Sequence, residues 1–199
     1  MNEIKTSQKL KVYDTILSRR SIRRYKQKPI QFDILKRLVN AARLAPSGAN
    51  LQPLEFVIIK DRKLCESIFE TIGWAGYIKP KWTPKPEERP TAYIAIIVNN
   101  TSNPWYRRDV GLASANIVLA AEEAGISSCI LCKINKGQIK KILKIPDGKE
   151  VDSVISLGYK DEEAVVEDLK DSVEYWRDEN RILHVPKRKL TDILHIDVF

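Results

Sequence analysis

Apolar residues recur along the chain in two patterns, one typical of helices and one typical of buried strands. Helical spacing predicts a short first helix that presents Val12, Ile16 and Leu17 on one face. The same spacing predicts a second helix from about Phe32 to Leu44, which ends where a Pro-Ser-Gly sequence follows at 46–48. Continuous apolar runs rich in β-branched residues predict four buried strands, over 54–60, 92–98, 126–132 and 151–158.

Amphipathic segments separate these strands. Helices are predicted over 61–70, over 109–124 with Gly125 in the capping position, and from Asn135 to the residues before Pro146. Residues 71–91 are rich in proline and tryptophan and predict a long irregular segment, and 173–185 predicts a short hairpin around a polar Asp-Glu-Asn-Arg turn. Strands that alternate with helices favour an α/β or α+β core in which helices cover a sheet.

Composition narrows the class of protein without deciding its function. The chain has 199 residues, 43% of them hydrophobic and 30% charged, as is usual for a folded domain. No run of about 18 apolar residues predicts a membrane span, and the N-terminal residues lack the apolar stretch of a signal peptide. Three cysteines without a signal peptide favour the cytoplasm, and a net charge of +8 permits anionic partners.

Basic residues are concentrated in one short stretch, SRRSIRRYKQK over 18–28. The stretch is compatible with a solvated basic loop, with a nucleic-acid contact, or with a phosphate site in which arginine forks and the Ser21 hydroxyl share the oxygens. A nucleic-acid arm would need interleaved aromatic residues, and Tyr25 is the one aromatic residue present. The cluster alone leaves these readings open.

A second polar stretch, AARLAPSGANLQPLEFVII over 41–59, joins the second helix to the first long strand. Its prolines restrict the loop, Gly48 lets a ligand approach the backbone, and Asn50 and Gln52 offer both donors and acceptors. An ordinary helix-to-strand loop is the alternative. Because the chain contains no phosphate-loop motif, no GxGxxG and no GxSxG, the common nucleotide-binding and hydrolase motifs are excluded.

Cysteine and histidine offer little chemistry. Cys129 and Cys132 form a CxxC sequence, but residues three apart on a strand point to opposite faces, so packing is favoured over a redox pair or a zinc site. His184 and His195 lie far along the chain, and His184 is expected as an alternating strand residue. We therefore predict no metal site.

The two N-terminal stretches, RRSIRRY (19–25) and APSGANLQPLEFVII (45–59), resemble the signatures of the nitroreductase family of FMN-dependent oxidoreductases. The resemblance continues through DVGLASANIVLAAEEAGISSCIL (109–131), VISLGY (154–159) and VPKRKLTDIL (185–194). It covers nearly the whole chain in order. Lys160 stands where the family usually has proline, and Cys132-Lys133 stands where many relatives have a glycine-containing sequence.

The resemblance implies an α+β fold: a nitroreductase-like three-layer sandwich, with a mixed sheet flanked by helices. It implies one domain over 1–199, with an irregular excursion at about 71–91 and a C-terminal arm at about 183–199. It also implies an intertwined homodimer that holds two FMN molecules at its interface. The apolar helix over 109–124 is expected to contribute to that interface.

The resemblance further implies the cofactor-binding residues. Arg19 and Ser21 match contacts to the flavin phosphate, and Arg20 matches a neighbouring cofactor contact. Arg23 matches a basic residue near the N1–O2 edge of the flavin. The matched loop that reaches FMN from the partner subunit contains Pro46, Ser47, Gly48, Asn50 and Gln52. The strand end that covers one flavin face is matched by Ile130, Leu131 and Cys132. The C-terminal basic pair that closes on the phosphate is matched by Lys187 and Arg188. The remaining basic residues, Arg24, Lys26 and Lys28, are expected to be solvated.

The implied activity is a ping-pong transfer of electrons from NADH or NADPH to a small aromatic acceptor, of the nitroaromatic or quinone type. Because the flavin carries the chemistry, no catalytic side chain is expected. Aromatic residues such as Trp74, Tyr77, Trp82 and Trp105 are candidates for a lid over the flavin. The alternatives are a flavin-binding protein without turnover, a dehalogenase-type or flavin-consuming member of the same fold, and a nucleic-acid binder; we expect neither nucleic acid nor membrane as partners.

Overall fold

The computed structural model of the protein describes residues 12–99 and 101–199. Residues 1–11, part of the stretch in which no signal peptide is expected, lie outside the described ranges. The helices are α1 (Val12–Ser18), α2 (Phe32–Arg43), α3 (Arg62–Phe69), α4 (Tyr106–Glu123) and α5 (Lys136–Ile142). The strands are β1 (Tyr25–Lys26), β2 (Leu54–Ile59), β3 (Ala92–Val98), β4 (Ser127–Leu131), β5 (Glu150–Lys160), β6 (Ala164–Asp168), β7 (Trp176–Arg177) and β8 (Leu183–Lys187).

The main sheet is organised around β5. One edge of β5 pairs with β3, and β3 pairs in turn with β2. The other edge pairs with β4 and then with β1, and all these pairings are antiparallel. A parallel bridge between Ser21 and Ser128 makes the arrangement mixed. The predicted α+β class and the four predicted strands are therefore confirmed, and β3, β4 and β5 are largely buried. Strand β2 lies at the end of the sheet order and is mostly half-buried, with Ile59 as its one buried residue.

Two layers of helices cover the main sheet, which explains the continuous apolar run of β3. Its even-numbered residues, such as Ile94 and Ile96, pack with α2 and α4. Its odd-numbered residues, such as Tyr93 and Ile97, pack on the opposite face with α3 and α5. Since successive side chains of a strand point to opposite faces, a strand that is buried on both faces must be apolar at every position. The predicted three-layer sandwich is confirmed.

The predicted helices form, and local capping fixes their ends. The Asp61 side chain accepts a hydrogen bond from Leu64 N at 2.9 Å, and the Asn135 side chain accepts one from Gln138 N at 3.1 Å. Gly125 follows α4 with φ = 71°, the left-handed conformation that glycine adopts readily at a helix end. Helix α4 begins three residues earlier than predicted, at Tyr106 rather than Asp109.

A second, three-stranded sheet forms near the C-terminus. The predicted hairpin is present as the antiparallel pair of β7 and β8, and β6 adds to it in parallel, a strand that the sequence pattern did not indicate. His184 lies on β8 with its ring stacked on Trp176 at 4.1 Å. Its ring nitrogens lie 3.1 Å from a Glu167 carboxylate oxygen and 3.5 Å from an Asp178 carboxylate oxygen. His184 is therefore a strand residue, as expected, and it also links β8 to these two acidic side chains.

The segment over 71–91 is irregular, as predicted, with a short 3-10 turn at Pro86–Glu88. The CxxC thiols do not converge: Cys129 is buried, whereas Cys132 is exposed. Over 12–99 and 101–199, no cluster of three or more histidine, cysteine, aspartate or glutamate residues is arranged to hold a metal ion. Within those same ranges, every helix is too short or too polar to cross a membrane.

Candidate functional site

The arginine-rich motif runs beside the first residues of β4. Helix α1 ends at Ser18, and the chain then continues in extended form. Ser21 pairs with Ser128, and Ile22 N donates a hydrogen bond to Ser128 O at 3.0 Å. The Ile22 side chain is buried and anchors the segment. These contacts fix the motif against the sheet, so the side chains on either side of Ile22 have defined positions.

The arginine side chains over 19–23 form no ion pair with a carboxylate in the described residues. Arg20 Nη1 donates to the carbonyl oxygen of Arg19 at 2.6 Å, and the buried Arg20 Nε has no hydrogen-bond partner there. Burial lowers the pKa of Arg20, and the neighbouring charge of Arg19 lowers it further. A cluster of this kind fits a phosphate dianion, which would satisfy the free donors.

Ser21 and Cys129 face each other between the motif and β4. Burial raises the pKa of the Cys129 thiol, and the Arg23 charge and a hydrogen bond with the Ser21 side chain oppose that rise. The nearby Ser128 hydroxyl is buried without a hydrogen-bond partner in the described residues. A half-buried hydroxyl beside an arginine cluster is suited to hydrogen-bond an anion.

Aromatic residues from two distant segments meet at Arg23. The Arg23 guanidinium carbon lies 4.6 Å from the centroid of the Tyr175 ring. Tyr175 in turn contacts Tyr77 edge-on, with ring centroids 5.1 Å apart. Tyr77 was a candidate lid residue, but Tyr175 was not, because nothing in its local sequence relates it to the arginine motif.

Arg24 is not solvated, contrary to expectation. Its side chain is 8% exposed and pairs with Glu88 at 3.1 Å. Neighbouring residues of an extended segment point in opposite directions, so Arg24 turns towards Glu88 whereas Arg23 turns towards Tyr175. Lys26 and Lys28 are exposed, as expected.

A buried ionic network ties three segments to the arginine motif. The Glu162 carboxylate is 1% exposed and accepts hydrogen bonds from Arg23 N at 2.5 Å and from Arg177 at 2.7 Å. Glu88 accepts from Arg181 at 2.9 Å as well as from Arg24. Sequence reasoning missed these partners because they lie 15 to 139 residues apart in the chain.

The ring of Trp82 lies within this network. The Arg177 guanidinium is 4.5 Å from the ring centroid and that of Arg24 is 5.4 Å from it. The ring packs between these two guanidinium groups, and a role of Trp82 in a lid stays a prediction. The network therefore holds both the irregular segment and the C-terminal sheet against the residues that precede β1.

The loop over 46–52 is held in a strained conformation at the start of α4. Ala49, Asn50 and Gln52 all have positive φ, between 47° and 55°. Such strain in residues other than glycine is often found at ligand-binding sites. The loop is fastened by Gly48 N, which donates to Asp109 Oδ1 at 2.9 Å. A conformation of this kind could not be read from the local sequence.

Gly48 has a packing reason that sequence reasoning did not anticipate. A Cβ added at Gly48 would lie 2.7 Å from Cβ of Trp105, so the glycine allows that side chain to approach the loop. The expected approach of a ligand to the Gly48 backbone stays a prediction. Pro46 and Ser47 lie in the same loop, and the Ser47 hydroxyl accepts a hydrogen bond from Gln52 N at 3.1 Å.

The other predicted site residues occupy mixed environments. Ile130 is 42% exposed and Cys132 is exposed, but the Leu131 side chain is buried with Phe69 and Trp74. Only the backbone of Leu131 is therefore suited to a flavin contact. Lys187 and Arg188 are exposed at the end of β8, where Arg188 donates to the carbonyl oxygen of Asp192 at 2.6 Å.

One chain brings together only part of the predicted site. Residues 19–23 and the first half of β4 are in direct contact. In the described part of the chain, no hydrogen bond or ion pair connects 19–23 with the loop over 46–52 or with Lys187 and Arg188. Whether a second copy supplies that loop to the arginine motif is not tested by a single chain.

Comparisons with known proteins agree with this architecture. The nitroreductase family model matches residues 16–159. A protein from Archaeoglobus fulgidus, named as an NADH dehydrogenase/NAD(P)H nitroreductase, is 32% identical, and the match covers 74% of this chain and 84% of that protein. An iodotyrosine deiodinase from Thermotoga neapolitana is 27% identical, with 76% and 89% covered.

Solved structures show the same fold. A protein from Parabacteroides distasonis, also named as an NADH dehydrogenase/NAD(P)H nitroreductase, superposes with a TM-score of 0.69 at 25% identity. The match covers 94% of this chain and 98% of that one. An FMN-dependent nitroreductase from Clostridium difficile has a TM-score of 0.68 at 24% identity, with 93% and 98% covered. The family model spans well over half of the sequence, and the chain therefore belongs to the nitroreductase family.

Proposed function

We propose that the protein is an FMN-dependent oxidoreductase that passes electrons from NADH or NADPH to a small aromatic acceptor of the nitroaromatic or quinone type. The observation that carries this proposal is the arginine cluster beside β4, in which Arg19, Arg20 and Arg23 form no side-chain ion pair with a carboxylate among the described residues. Membership of an oxidoreductase family and the named nitroreductase relatives support the same activity.

The residues of the cluster fit the FMN phosphate by their chemistry. Arg19 and Arg20 supply N–H donors that can bind phosphate oxygens in pairs, and Ser21 supplies a hydroxyl. Lys187 and Arg188, which are exposed on β8, add charge when the C-terminal arm closes on the phosphate. Because a phosphate is needed to compensate the cluster, FMN should be bound in preference to riboflavin.

Arg23 has a different role in this proposal. A fixed cation near the N1–O2 edge favours the electron-rich form of the ring. The chain holds Arg23 from two sides, through the backbone contact with Glu162 and through the Tyr175 ring. Tyr77 and Tyr175 are placed to exclude water from one side of this site.

FMN, when bound, supplies the hydride chemistry of a ping-pong reaction. The chain binds and orients the reactants, provides an apolar surface at Ile130 for stacking, and holds positive charge at Arg23. The strained loop over 46–52 offers Asn50 and Gln52 to the edge of a flavin. No side chain in this scheme acts as a nucleophile.

We also propose that the active form is a homodimer in which the loop over 46–52 reaches the arginine motif of the partner. Large apolar side chains are exposed on a single chain: Val12 on α1 is 75% exposed, and Leu112 on α4 is 44% exposed. The C-terminal residues add Ile196 and Phe199, at 74% and 104%. A second subunit that packs against these side chains would remove them from water.

Reductive dehalogenation is the second candidate activity. The deiodinases of Thermotoga neapolitana and Haliscomenobacter hydrossis, at 27% and 24% identity, favour it. Both activities need the same phosphate and ring contacts, so they differ in the acceptor alone. The burial of Arg24 against Glu88 leaves the stretch with fewer free cations than a nucleic-acid arm would present, which disfavours nucleic acid as a partner.

The absorption spectrum of the purified protein, followed by acceptor assays, tests the proposal. We expect one FMN per chain, tighter binding of FMN than of riboflavin, and oxidation of NADH or NADPH that depends on a quinone or nitroaromatic. Release of halide from a halogenated phenol without reduction of the other acceptors would favour the dehalogenase. Flavin binding without NAD(P)H oxidation or dehalogenation would indicate a flavin-storage protein, and a colourless protein that binds DNA would overturn the proposal.

A further inference from the structure

A cavity of about 510 Å³ lies between α3, the start of β3 and the segment over 86–91. Its volume is within the range of about 300–1,000 Å³ that small-molecule sites occupy. Its lining surface is mainly apolar, with Phe69, Tyr93 and Pro90 among its residues, and it also contains polar side chains such as Gln27 and Thr91. None of the residues that we assign to the flavin lines it, so this cavity has a separate role.

Two hydrogen-bonding groups in the lining are buried and unused. Tyr93 is 0% exposed, and its hydroxyl has no hydrogen-bond partner among the described residues. The same is true of Nε of Arg89, whose guanidinium lies 3.9 Å from the centroid of the Phe69 ring. Buried polar groups without partners are costly, and an unpaired group beside a cavity indicates a ligand that would pair with it.

Both groups are donors at neutral pH. Burial raises the pKa of Tyr93 well above its ordinary range, and the Arg89 charge offsets that only in part. The phenol therefore keeps its proton, and the guanidinium N–H can donate beside it. A carboxylate has two oxygens that accept hydrogen bonds from two such donors.

The charges around the cavity nearly balance, and among the described residues Lys60 is the one cation of the lining without a carboxylate partner. Arg62 is paired with Glu66 at 3.3 Å, and Arg89 lies 3.5 Å from Glu70. Lys60 has no carboxylate partner in the described part of the chain, and its ammonium lies 5.6 Å from the Phe32 ring. Glu87 and Lys60 both lie in the lining and are both exposed, so solvent screens the charge of each.

We propose that this cavity binds a small monocarboxylate with an apolar, ring-sized body. The carboxylate accepts from the Tyr93 hydroxyl and from Arg89 Nε, with Lys60 at the edge of the site. The body of the ligand packs against Phe69 and the neighbouring prolines. The Tyr93 hydroxyl and Arg89 Nε have almost no solvent-accessible surface, so the proposal requires the Arg89 side chain, which stands on the loop before β3, to shift and admit the ligand oxygens.

The test uses 4-fluorobenzoate as probe, observed by ¹⁹F NMR on the full-length protein with FMN in excess. Excess FMN keeps the flavin-binding surface filled, so failure of the flavin assignment would be seen separately, in the absorption spectrum. The variants Tyr93→Phe and Arg89→Gln each remove one proposed donor. Tyr159→Phe, which removes a hydroxyl outside the cavity, is the matched control.

We expect saturable binding of 4-fluorobenzoate that weakens about tenfold or more in Tyr93→Phe and in Arg89→Gln, because hydrogen bonds to charged groups have that weight. Tyr159→Phe should bind as the unmodified protein does, and neutral 4-fluorobenzamide should bind much more weakly than the anion. Equal binding of the amide and the anion would overturn the proposal. Binding that is unchanged in both Tyr93→Phe and Arg89→Gln would also overturn it. In that case an ordered water, and not the ligand, would be the partner of the Tyr93 hydroxyl.

Discussion

Replacement of Glu162 by alanine should destabilise the protein more than any change to its exposed carboxylates. The Glu162 side chain is 1% exposed and accepts two hydrogen bonds, from Arg23 N at 2.5 Å and from Arg177 at 2.7 Å. Hydrogen bonds to charged groups contribute about 1.5–3 kcal/mol each, so two contribute about 3–6 kcal/mol. Removing one partner of a buried pair costs about 3–5 kcal/mol, in agreement with that sum.

The assay is thermal unfolding at fixed protein and flavin concentrations, because ligands and association both shift the midpoint. For a chain of this size, about 4 kcal/mol corresponds to a decrease in Tm of roughly 8–16 °C. Glu163→Ala is the matched control, since Glu163 is the adjacent residue and is exposed. Its free energy of unfolding should change by no more than about 0.5 kcal/mol.

A second substitution separates a buried pair from simple loss of packing. If Glu162→Ala destabilises by leaving the Arg177 guanidinium uncompensated, adding Arg177→Met should recover part of the loss, because the buried charge is then removed. A Tm decrease of less than about 3 °C in Glu162→Ala would refute the reasoning. So would strictly additive effects of the two substitutions.

Three further predictions concern the flavin site and the thiols. Arg19→Ala should weaken FMN binding about tenfold or more in a fluorescence titration, and excess FMN should restore the activity. The control variant Lys26→Ala should leave the FMN affinity unchanged. Equal losses of affinity in both variants would show that the assignment of the motif is wrong. Arg23→Ala should lower the flavin reduction potential at full occupancy, and an unchanged potential in spectroelectrochemical titration would place its charge elsewhere. At pH 8 a disulfide reagent should label the exposed Cys132 and spare Cys65, because burial raises the pKa of the Cys65 thiol to about 12. FMN should slow the labelling of Cys132. Rapid labelling of Cys65 would contradict its burial.

Arg24 is unsuitable as a neutral control in these experiments, although it belongs to the same basic stretch. Its side chain is buried against Glu88, and the Glu88 carboxylate also holds Arg181. Arg24→Ala should therefore destabilise the fold rather than leave it unaffected. Lys26, which is exposed, takes its place as the control.

The sequence by itself was sufficient for features that depend on local pattern. The run over 92–98 is apolar at every position, which requires burial on both faces, and β3 occupies those residues. Helix ends are also fixed locally. The side chains of Asp61 and Asn135 cap the helices that follow them, and Gly125 adopts the left-handed conformation that ends α4. The arginine motif could likewise be recognised from its own residues, although their partners could not.

Tertiary structure alone decided which groups meet across long separations. Arg23 and Arg24 are neighbours of the same residue type, but Arg24 is buried against Glu88 while the Arg23 side chain lies over Tyr175. Whether a basic residue is solvated or paired depends on which distant segment folds against it. That depends in turn on the packing of the whole chain, because a charge is buried only where a partner compensates its lost hydration.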